Sequence, residues 1–221
     1  MSLKALVFDA YGTLFDVHAV IQRCESFWPG KGAALSQLWR TKQLEYTWQR
    51  SLMQRYLPFS KVTREALGYA CEALELPLDE ARTQALMDAY LDLAAYADVP
   101  AALEELRRGG RKLAILTNGS PDMIEPLVKK RGMQKIFDAV LSADKVKVFK
   151  PAPPVYQFAV EQLAIAAPSI GFVSSNCWDA LGAKSFGFSV FWINRAGAPV
   201  DRTGFEPDGV LRGLGDLPPK L

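Results

Sequence analysis

The amino-acid sequence predicts an α/β fold: a mostly parallel sheet with helices on both faces and an all-helical segment inserted after its first strand. Two observations predict it. From residue 100 onward, short apolar runs alternate with stretches of helical periodicity, which is the pattern of a doubly wound sheet. One further apolar run lies near the amino terminus, and a long segment without clear strand signals separates it from the others.

The composition argues against several classes of protein. A chain of 221 residues with 49% hydrophobic residues can bury a sizeable core. Its 26 lysines and arginines against 24 acids give a net charge of +2, which is too balanced to favour nucleic acid or an anionic membrane as the partner. We see no membrane-spanning run and no signal peptide. Three cysteines without CxxC spacing favour a reducing compartment, so we expect a cytoplasmic protein.

The first predicted strand, residues 5–8, is an apolar run that ends at the carboxylate of Asp9. Gly12 then permits a tight turn, and Thr13 places a hydroxyl just beyond it. An aspartate at a strand end is most often a cap or turn residue, so this stretch alone carries no functional argument.

The segment after the first strand has helical periodicity bounded by prolines. We predict helices over residues 33–56, 64–76 and 78–96. His18, the only histidine, falls in the linker before them. The chain then divides into a core domain of residues 1–15 and 99–221 and a helical cap subdomain of residues 16–98.

The second half of the chain supplies the rest of the sheet. Predicted strands cover residues 112–117, 139–142, 170–174, 189–194 and 210–211, and predicted helices cover residues 101–108, 121–131, 154–167 and 179–186. This alternation predicts a Rossmann-like sheet, in which ligands bind outside the carboxyl ends of the strands.

Polar residues follow each of the first four strands. They are Asp9, then Thr117 and Asn118, then Lys150, and finally Ser174, Asn176 and Asp179. Together they suit covalent catalysis, in which one aspartate attacks, a lysine balances charge and a second aspartate positions water. Each has an ordinary alternative, since residues 175–179 also fit a helix capping box and a lone lysine is usually exposed. The joint placement favours the catalytic interpretation.

These stretches resemble the four ordered motifs of the haloacid dehalogenase superfamily. The matching residues are Asp9-Ala10-Tyr11-Gly12-Thr13-Leu14, Thr117-Asn118-Gly119, Lys150-Pro151 and Ser174-Ser175-Asn176-Cys177-Trp178-Asp179. The resemblance spans the core from the first strand past Asp179, and the helical insertion resembles the cap of that superfamily.

The residue two positions after Asp9 separates the activities within this superfamily. Its magnesium-dependent phosphatases carry a second aspartate there, which protonates the leaving alcohol, whereas this chain has Tyr11. A halide leaves without a proton, and a carboxylate substrate carries less charge than a phosphate. Tyr11 therefore favours displacement at carbon, without a metal, over hydrolysis of a phosphate ester.

The helical insertion strengthens the resemblance to the L-2-haloacid dehalogenases. Residues 38–48 resemble their cap helix, with Arg40 at the position of the halide-binding arginine, and residues 148–156 resemble their third motif, with Tyr156 at a site position. Phe59 and Trp178 match apolar pocket walls, although either could also be an ordinary core residue. Thr117 stands where this subfamily commonly has serine.

The resemblance implies hydrolysis of L-2-haloacids to D-2-hydroxy acids and halide, through an Asp9 ester and with inversion at C2. It implies catalytic roles for Asp9, Thr13, Arg40, Lys150, Tyr156, Ser174, Asn176 and Asp179. It implies substrate contacts from Tyr11, Leu44, Phe59, Thr117, Asn118 and Trp178, with Arg40 and Asn118 receiving the halide. We expect no metal or cofactor, a small 2-haloalkanoic acid as substrate, and a homodimer. The alternatives are a magnesium-dependent phosphatase or phosphonatase of this superfamily and a catalytically silent binding protein on this fold.

Overall fold

The computed structural model describes residues 3–220 and contains one parallel sheet of six strands. The strands are β1 (Ala5–Phe8), β2 (Lys112–Thr117), β3 (Ala139–Ser142), β4 (Ile170–Ser174), β5 (Ser189–Ile193) and β6 (Gly209–Leu211). Their order across the sheet is β3-β2-β1-β4-β5-β6, and every neighbouring pair is parallel. The predicted α/β fold is confirmed.

The α-helices within the described residues begin and end as follows: α1 (His18–Phe27), α2 (Gly32–Leu52), α3 (Phe59–Ala73), α4 (Glu80–Ala89), α5 (Val99–Arg108), α6 (Pro121–Lys130), α7 (Pro153–Leu163) and α8 (Cys177–Phe186). None of the helices in residues 3–220 has the length and apolar character needed to cross a bilayer.

Strand β1 places Asp9 at the middle of the sheet. All four residues of β1 are buried, because β2 and β4 pair with it on either side and helices cover both faces. Phe8 lies opposite Ile115 of β2 and Val173 of β4. The chain leaves the sheet directly after Phe8, so the next residue stands at the carboxyl edge where the strand order reverses, which is where ligands bind in such sheets.

Five α-helices, α1 to α5, lie between β1 and β2 in the chain. The first four lie in the segment that the sequence indicates as a helical insertion, but their bounds differ from the predicted ones. His18 begins helix α1 instead of lying in a linker. Helix α2 ends at Leu52, and Gln54 beyond it has a left-handed φ of 55°. Helix α3 begins at Phe59 directly after Pro58, five residues earlier than predicted. The predicted last helix ends at Ala89 and continues as a short 3₁₀ turn.

These inserted helices cover the carboxyl edge of the sheet through polar contacts. The Ser51 hydroxyl accepts the N–H of Phe149 at 3.1 Å. The Tyr56 hydroxyl donates to Asp144 at 2.8 Å. The Ser120 hydroxyl, predicted to cap α6, accepts a backbone N–H of α3 instead, at 3.1 Å. The insertion therefore covers the carboxyl ends of the strands. Its exact limits at residues 16 and 98 stay a prediction.

Gly182 of α8 tests how tightly the elements around the site must pack. A Cβ at this position would lie 2.5 Å from the Pro151 Cβ and 2.7 Å from the Tyr156 hydroxyl oxygen. We predict that Gly182→Ala lowers the free energy of unfolding by about 1–3 kcal/mol, because overpacking outweighs the better helix propensity of alanine.

Gly68 of α3 is the matched control, because a Cβ there would meet no atom within 4 Å. Gly68→Ala should stabilise the protein by about 0.5–1 kcal/mol. Urea unfolding of both variants measures the difference. A Gly182→Ala variant as stable as the wild type would contradict the close approach of α8 to the loop that carries Pro151.

Candidate active site

The Asp9 carboxylate is nearly buried and holds hydrogen bonds from three sides. Its Oδ2 accepts from the Thr13 hydroxyl and from Nδ2 of Asn176, each at 2.9 Å. Its Oδ1 lies 3.2 Å from Nζ of Lys150. The Thr13 hydroxyl is itself fixed, because its oxygen accepts the N–H of Ser175 at 2.8 Å. These contacts fix the orientation of the carboxylate.

The Lys150 ammonium lies between two carboxylates. The side chain is 1% exposed, and Nζ lies 2.9 Å from Asp179 Oδ2 as well as 3.2 Å from Asp9 Oδ1. The same Nζ stands 5.0 Å from the centre of the Phe172 ring. Burial by itself lowers the pKa of Lys150, but the two carboxylates outweigh it, so the pKa is raised and the lysine stays charged.

Asp179, in the first turn of α8, is fully buried. Its Oδ1 accepts from the Tyr156 hydroxyl at 2.9 Å. Burial raises the pKa of the Asp179 carboxyl to about 6; Lys150 opposes this rise, Asp9 adds to it, and the hydrogen bond from Tyr156 opposes it. A carboxylate with such a pKa is a suitable proton acceptor near neutral pH.

The Asn118 amide has one orientation that satisfies its neighbours. The backbone N–H of Lys150 donates to Asn118 Oδ1 at 2.9 Å, so the Nδ2 group is left to donate elsewhere. The adjacent Thr117 hydroxyl accepts the N–H of Gly119 at 3.0 Å and keeps its own proton for another acceptor. Asn118 and Thr117 therefore present donors at the end of β2.

Arg40 reaches the same place from α2. Its Nη1 donates to Gln43 Oε1 at 2.6 Å, and its Nη2 lies 3.4 Å from Asn176 Oδ1. Both partners are neutral amides, and no carboxylate in residues 3–220 lies within salt-bridge distance of Arg40. Although Asn176 is the N-cap residue of α8, its side chain makes no capping bond and contacts Asp9 and Arg40 instead. The guanidinium thus lacks a counter-ion in the described structure.

The polar groups enclose a small pocket whose walls are partly apolar. The lining residues are Asp9, Tyr11, Arg40, Leu44, Phe59, Thr117, Asn118, Lys150, Asn176 and Trp178. The free volume is about 10 Å³, roughly the space of one water molecule. The Trp178 ring packs edge-on against Trp48 of α2, with ring centres 5.6 Å apart, so the inserted helices close the pocket.

This arrangement can perform nucleophilic displacement by a carboxylate. It combines an oriented carboxylate, a lysine that balances its charge and a cation without a carboxylate partner in one small pocket, with a second carboxylate directly behind the lysine. The described residues contain no cluster of three or more His, Cys, Asp or Glu side chains able to hold a metal ion. The Lys150 ammonium stands between Asp9 and Asp179, in the position that a bridging cation would need.

Comparison with known proteins agrees with this geometry. Residues 3–187 match the haloacid dehalogenase-like hydrolase family. The chain belongs to this family. An (S)-2-haloacid dehalogenase of Pseudomonas sp. (strain YL) is 50% identical over 96% of this chain and 91% of its own length. A haloacetate dehalogenase H-2 of Moraxella sp. (strain B) is 45% identical over 93% of this chain and 92% of its own length.

Solved structures place the chain within one subfamily of the haloacid dehalogenase-like hydrolases. One L-2-haloacid dehalogenase structure has a TM-score of 0.98 at 46% identity and covers 100% of this chain and 99% of its own. The Xanthobacter autotrophicus L-2-haloacid dehalogenase with chloropropionic acid covalently bound has a TM-score of 0.91 at 42% identity, covering 98% and 97%. The chain is therefore an L-2-haloacid dehalogenase by subfamily.

All ten residues that line the pocket of this dehalogenase-family protein are among the predicted site residues. The other four, Thr13, Tyr156, Ser174 and Asp179, lie behind the lining. Ser174 does not face the pocket; its hydroxyl accepts the N–H of Asn176 at 3.1 Å. Their predicted catalytic roles stay predictions.

Two groups that hold the site residues in place, the Ser175 N–H and the Gln43 amide, are not predicted by the sequence patterns. The N–H of Ser175 fixes the Thr13 hydroxyl, and the buried Gln43 amide contacts Arg40. The only available signal for Gln43 was its position three residues after Arg40, which places both side chains on one helix face.

We predict that Lys150→Met destabilises this protein by about 3–5 kcal/mol at pH 8, because it leaves buried carboxylates without a counter-charge. The loss should be smaller at pH 5. Removing the ammonium raises the pKa of Asp179 further, so the folded variant takes up a proton that the unfolded chain binds less tightly.

Urea unfolding at both pH values measures this difference. The control is Lys184→Met, which breaks a partly exposed pair with Asp208 and should cost less than about 1 kcal/mol at either pH. Equal destabilisation by Lys150→Met at pH 8 and pH 5 would contradict the charge argument.

Proposed function

We propose that this enzyme hydrolyses L-2-haloacids to D-2-hydroxy acids and halide through an ester on Asp9. The observation that carries the proposal is the presence of Asp9 and Arg40 in one small pocket, with Arg40 lacking a carboxylate partner in residues 3–220. A nucleophile and an uncompensated cation are what displacement of an anion from carbon requires. The Pseudomonas sp. (strain YL) relative is named for (S)-2-haloacid dehalogenation and the Moraxella sp. relative for haloacetate dehalogenation, which supports displacement of halide from carbon.

In the first step, a carboxylate oxygen of Asp9 attacks the carbon that bears the halogen. The new C–O bond forms as the C–halogen bond breaks, and the bonding pair leaves with the halide. Attack from the side opposite the halide inverts C2. The apolar walls contributed by Leu44, Phe59 and Trp178 support this step, because a carboxylate stripped of water is a better nucleophile.

Arg40 and the Nδ2 group of Asn118 receive the halide in this proposal. A halide is a weak base and needs no proton, so Tyr11 at the position of the phosphatase acid is no obstacle. The substrate carboxylate would lie against the Thr117 hydroxyl and the N–H groups of Tyr11 and Asn118. Those two N–H groups have no acceptor within the described part of the chain. Ser174, for which the resemblance implies a catalytic role, is less favoured as a contact for the substrate carboxylate, because it does not line the pocket.

In the second step, water attacks the carbonyl carbon of the Asp9 ester and gives a proton to Asp179. The bond from that carbon to the substrate oxygen then breaks, and the substrate oxygen takes the proton from Asp179 as the hydroxy acid leaves. Asp9 keeps the oxygen of the water and loses the second proton of the water to solvent, which restores its carboxylate. Lys150 stabilises the charge on the carbonyl oxygen. The hydrogen bond from Tyr156 holds Asp179, and the raised pKa of Asp179 suits a base.

The small volume of the pocket is an argument for movement of the cap. A 2-haloacid has several heavy atoms, which the free volume of about 10 Å³ does not accommodate. We therefore propose that residues 16–98 act as a cap that separates from the core of residues 1–15 and 99–221 to admit a small 2-haloalkanoic acid. We also propose, from the subfamily resemblance, that the enzyme is a cytoplasmic homodimer.

The two alternatives are less well supported. A phosphatase or phosphonatase needs an acid for its leaving group, and burial raises the pKa of Tyr11 far above its ordinary value, so Tyr11 holds its proton. Asp9, Lys150 and Asp179 form a cluster of buried charges in contact. Such a cluster costs free energy, and a catalytically silent binding protein would not need it.

We predict that the enzyme releases chloride from L-2-chloropropionate but not from the D enantiomer, with EDTA present. Asp9→Asn should lower turnover more than ~10⁴-fold, because it removes the nucleophile. A chloride electrode and chiral chromatography of the lactate measure both. Activity on p-nitrophenyl phosphate that requires Mg²⁺, or turnover retained by Asp9→Asn, would contradict the proposal.

We predict that kcat falls as the pH drops through about 6, because protonated Asp179 cannot accept a proton from water. Tyr156→Phe removes a hydrogen bond to the charged form of Asp179. This raises the pKa of that acid and should move the acid limb of the pH–rate profile upward by about one pH unit.

Tyr46→Phe is the control, because Tyr46 packs against Tyr69 on α2 and α3, away from the pocket lining. Its pH–rate profile should match that of the wild type. An unchanged acid limb in Tyr156→Phe would show that Asp179 does not set it.

A further inference from the structure

Arg40 carries its guanidinium at the end of a long side chain, so its position needs support beyond α2. One support comes from the core through Asn176, at 3.4 Å. The other is the much shorter contact to Gln43 Oε1, at 2.6 Å. Gln43 is fully buried although it is a polar residue on a helix that faces the pocket.

The hydrogen bonds around Gln43 can run in only one direction. A guanidinium only donates, so the amide oxygen of Gln43 must face Arg40. The Nε2 group then points away from Arg40 and donates to the Thr63 hydroxyl at 2.7 Å. The Thr63 hydroxyl in turn donates a hydrogen bond to the carbonyl oxygen of Phe59, also at 2.7 Å. Each group is satisfied in this arrangement, and a reversed amide would set two donors against each other.

A purely structural role does not require this pair. Helices α2 and α3 are already joined beside it, because Trp39 Nε1 donates to the Thr63 carbonyl oxygen at 2.7 Å. Burying an amide and a hydroxyl costs free energy, which apolar residues of similar size would avoid. The pair is also neutral: it holds the guanidinium without supplying an anion that would compete with the halide for Arg40.

We propose that Gln43 is a positioning residue for Arg40 in the step that releases the halide, and that Thr63 fixes the Gln43 amide in the orientation this requires. This inference rests on the proposed function, since it assigns Arg40 to the departing halide. Neither Gln43 nor Thr63 lines the pocket, so neither contacts the substrate.

Thr63→Val tests the inference, because valine keeps the shape and removes only the hydroxyl. We expect kcat for L-2-chloropropionate to fall about 10- to 100-fold, the size of effect that a misplaced catalytic group produces. The fall should be smaller for L-2-bromopropionate, because bromide is the better leaving group and needs less help from Arg40. Thr63→Ser should restore both rates.

The matched control is Thr47→Val. Thr47 is equally buried on α2, but its hydroxyl donates to the Leu44 carbonyl oxygen in its own helix. Thr47→Val should leave kcat and the chloride-to-bromide ratio unchanged. A Thr63→Val variant that loses thermal stability while keeping the wild-type kcat and ratio would overturn the inference, as would failure of Thr63→Ser to restore activity.

Bromide binding gives a readout that does not depend on turnover. Trp178 lines the pocket, so bromide held by Arg40 should quench its fluorescence, with Arg40→Met as the baseline for bulk quenching. We expect the bromide Kd to rise about tenfold in Thr63→Val and to stay unchanged in Thr47→Val. Wild-type protein that binds bromide but releases none from either substrate would refute the proposed function alone; equal Kd values in all three proteins would refute the Gln43–Thr63 inference alone.

Discussion

The contact between one buried ammonium and two buried carboxylates is the interaction on which the site depends. Without Lys150, Asp9 and Asp179 would place like charges close together in a region that excludes water, which is unfavourable. With Lys150 between them, the nucleophile of one proposed step and the base of the next can share a site. The neighbouring elements serve this contact: Gly182 lets α8, which carries Asp179, approach the loop that carries Lys150.

The two halves of the chain contribute different chemistry to this site. The sheet supplies the charged and hydrogen-bonding groups at its strand ends. The inserted helices supply Arg40 and the two apolar side chains of Leu44 and Phe59. Asn176 joins them, since one end of its amide contacts Asp9 and the other lies near Arg40. In the proposed mechanism, the anion that leaves carbon beside Asp9 therefore meets a cation supplied by the inserted helices and not by the sheet. The proposal thus assigns acceptance of the leaving group to the insertion.

The sheet and the polar residues at its strand ends are predicted by local patterns. Apolar runs define strands, and polar residues directly after parallel strands share an edge. The other pocket-lining residues are predicted only by the resemblance to the L-2-haloacid dehalogenases; they are Tyr11, Arg40, Leu44, Phe59 and Trp178. The missed features depend on contacts between distant residues. Helix α1 was missed because its N-cap residue, Val17, makes no side-chain capping bond. Gln43 and Thr63 lie twenty residues apart on separate helices, and no periodicity predicts that they bond. The Ser120-Pro121 pattern predicts a helix cap, but the Ser120 hydroxyl bonds to α3 instead, which is again a contact between distant residues.

The small free volume of the pocket has a kinetic consequence. In the proposed cap motion, a solute waits for the inserted helices to separate from the core before it enters a pocket that now holds about one water molecule. Ligand capture is then a two-stage event, and its observed rate should level off at the opening frequency once solute is abundant. The apparent affinity is then the intrinsic affinity of the open state multiplied by the fraction of time that the pocket is open. Ser51 and Tyr56, which join the inserted helices to the core, would then change the rate of association without contacting the bound molecule.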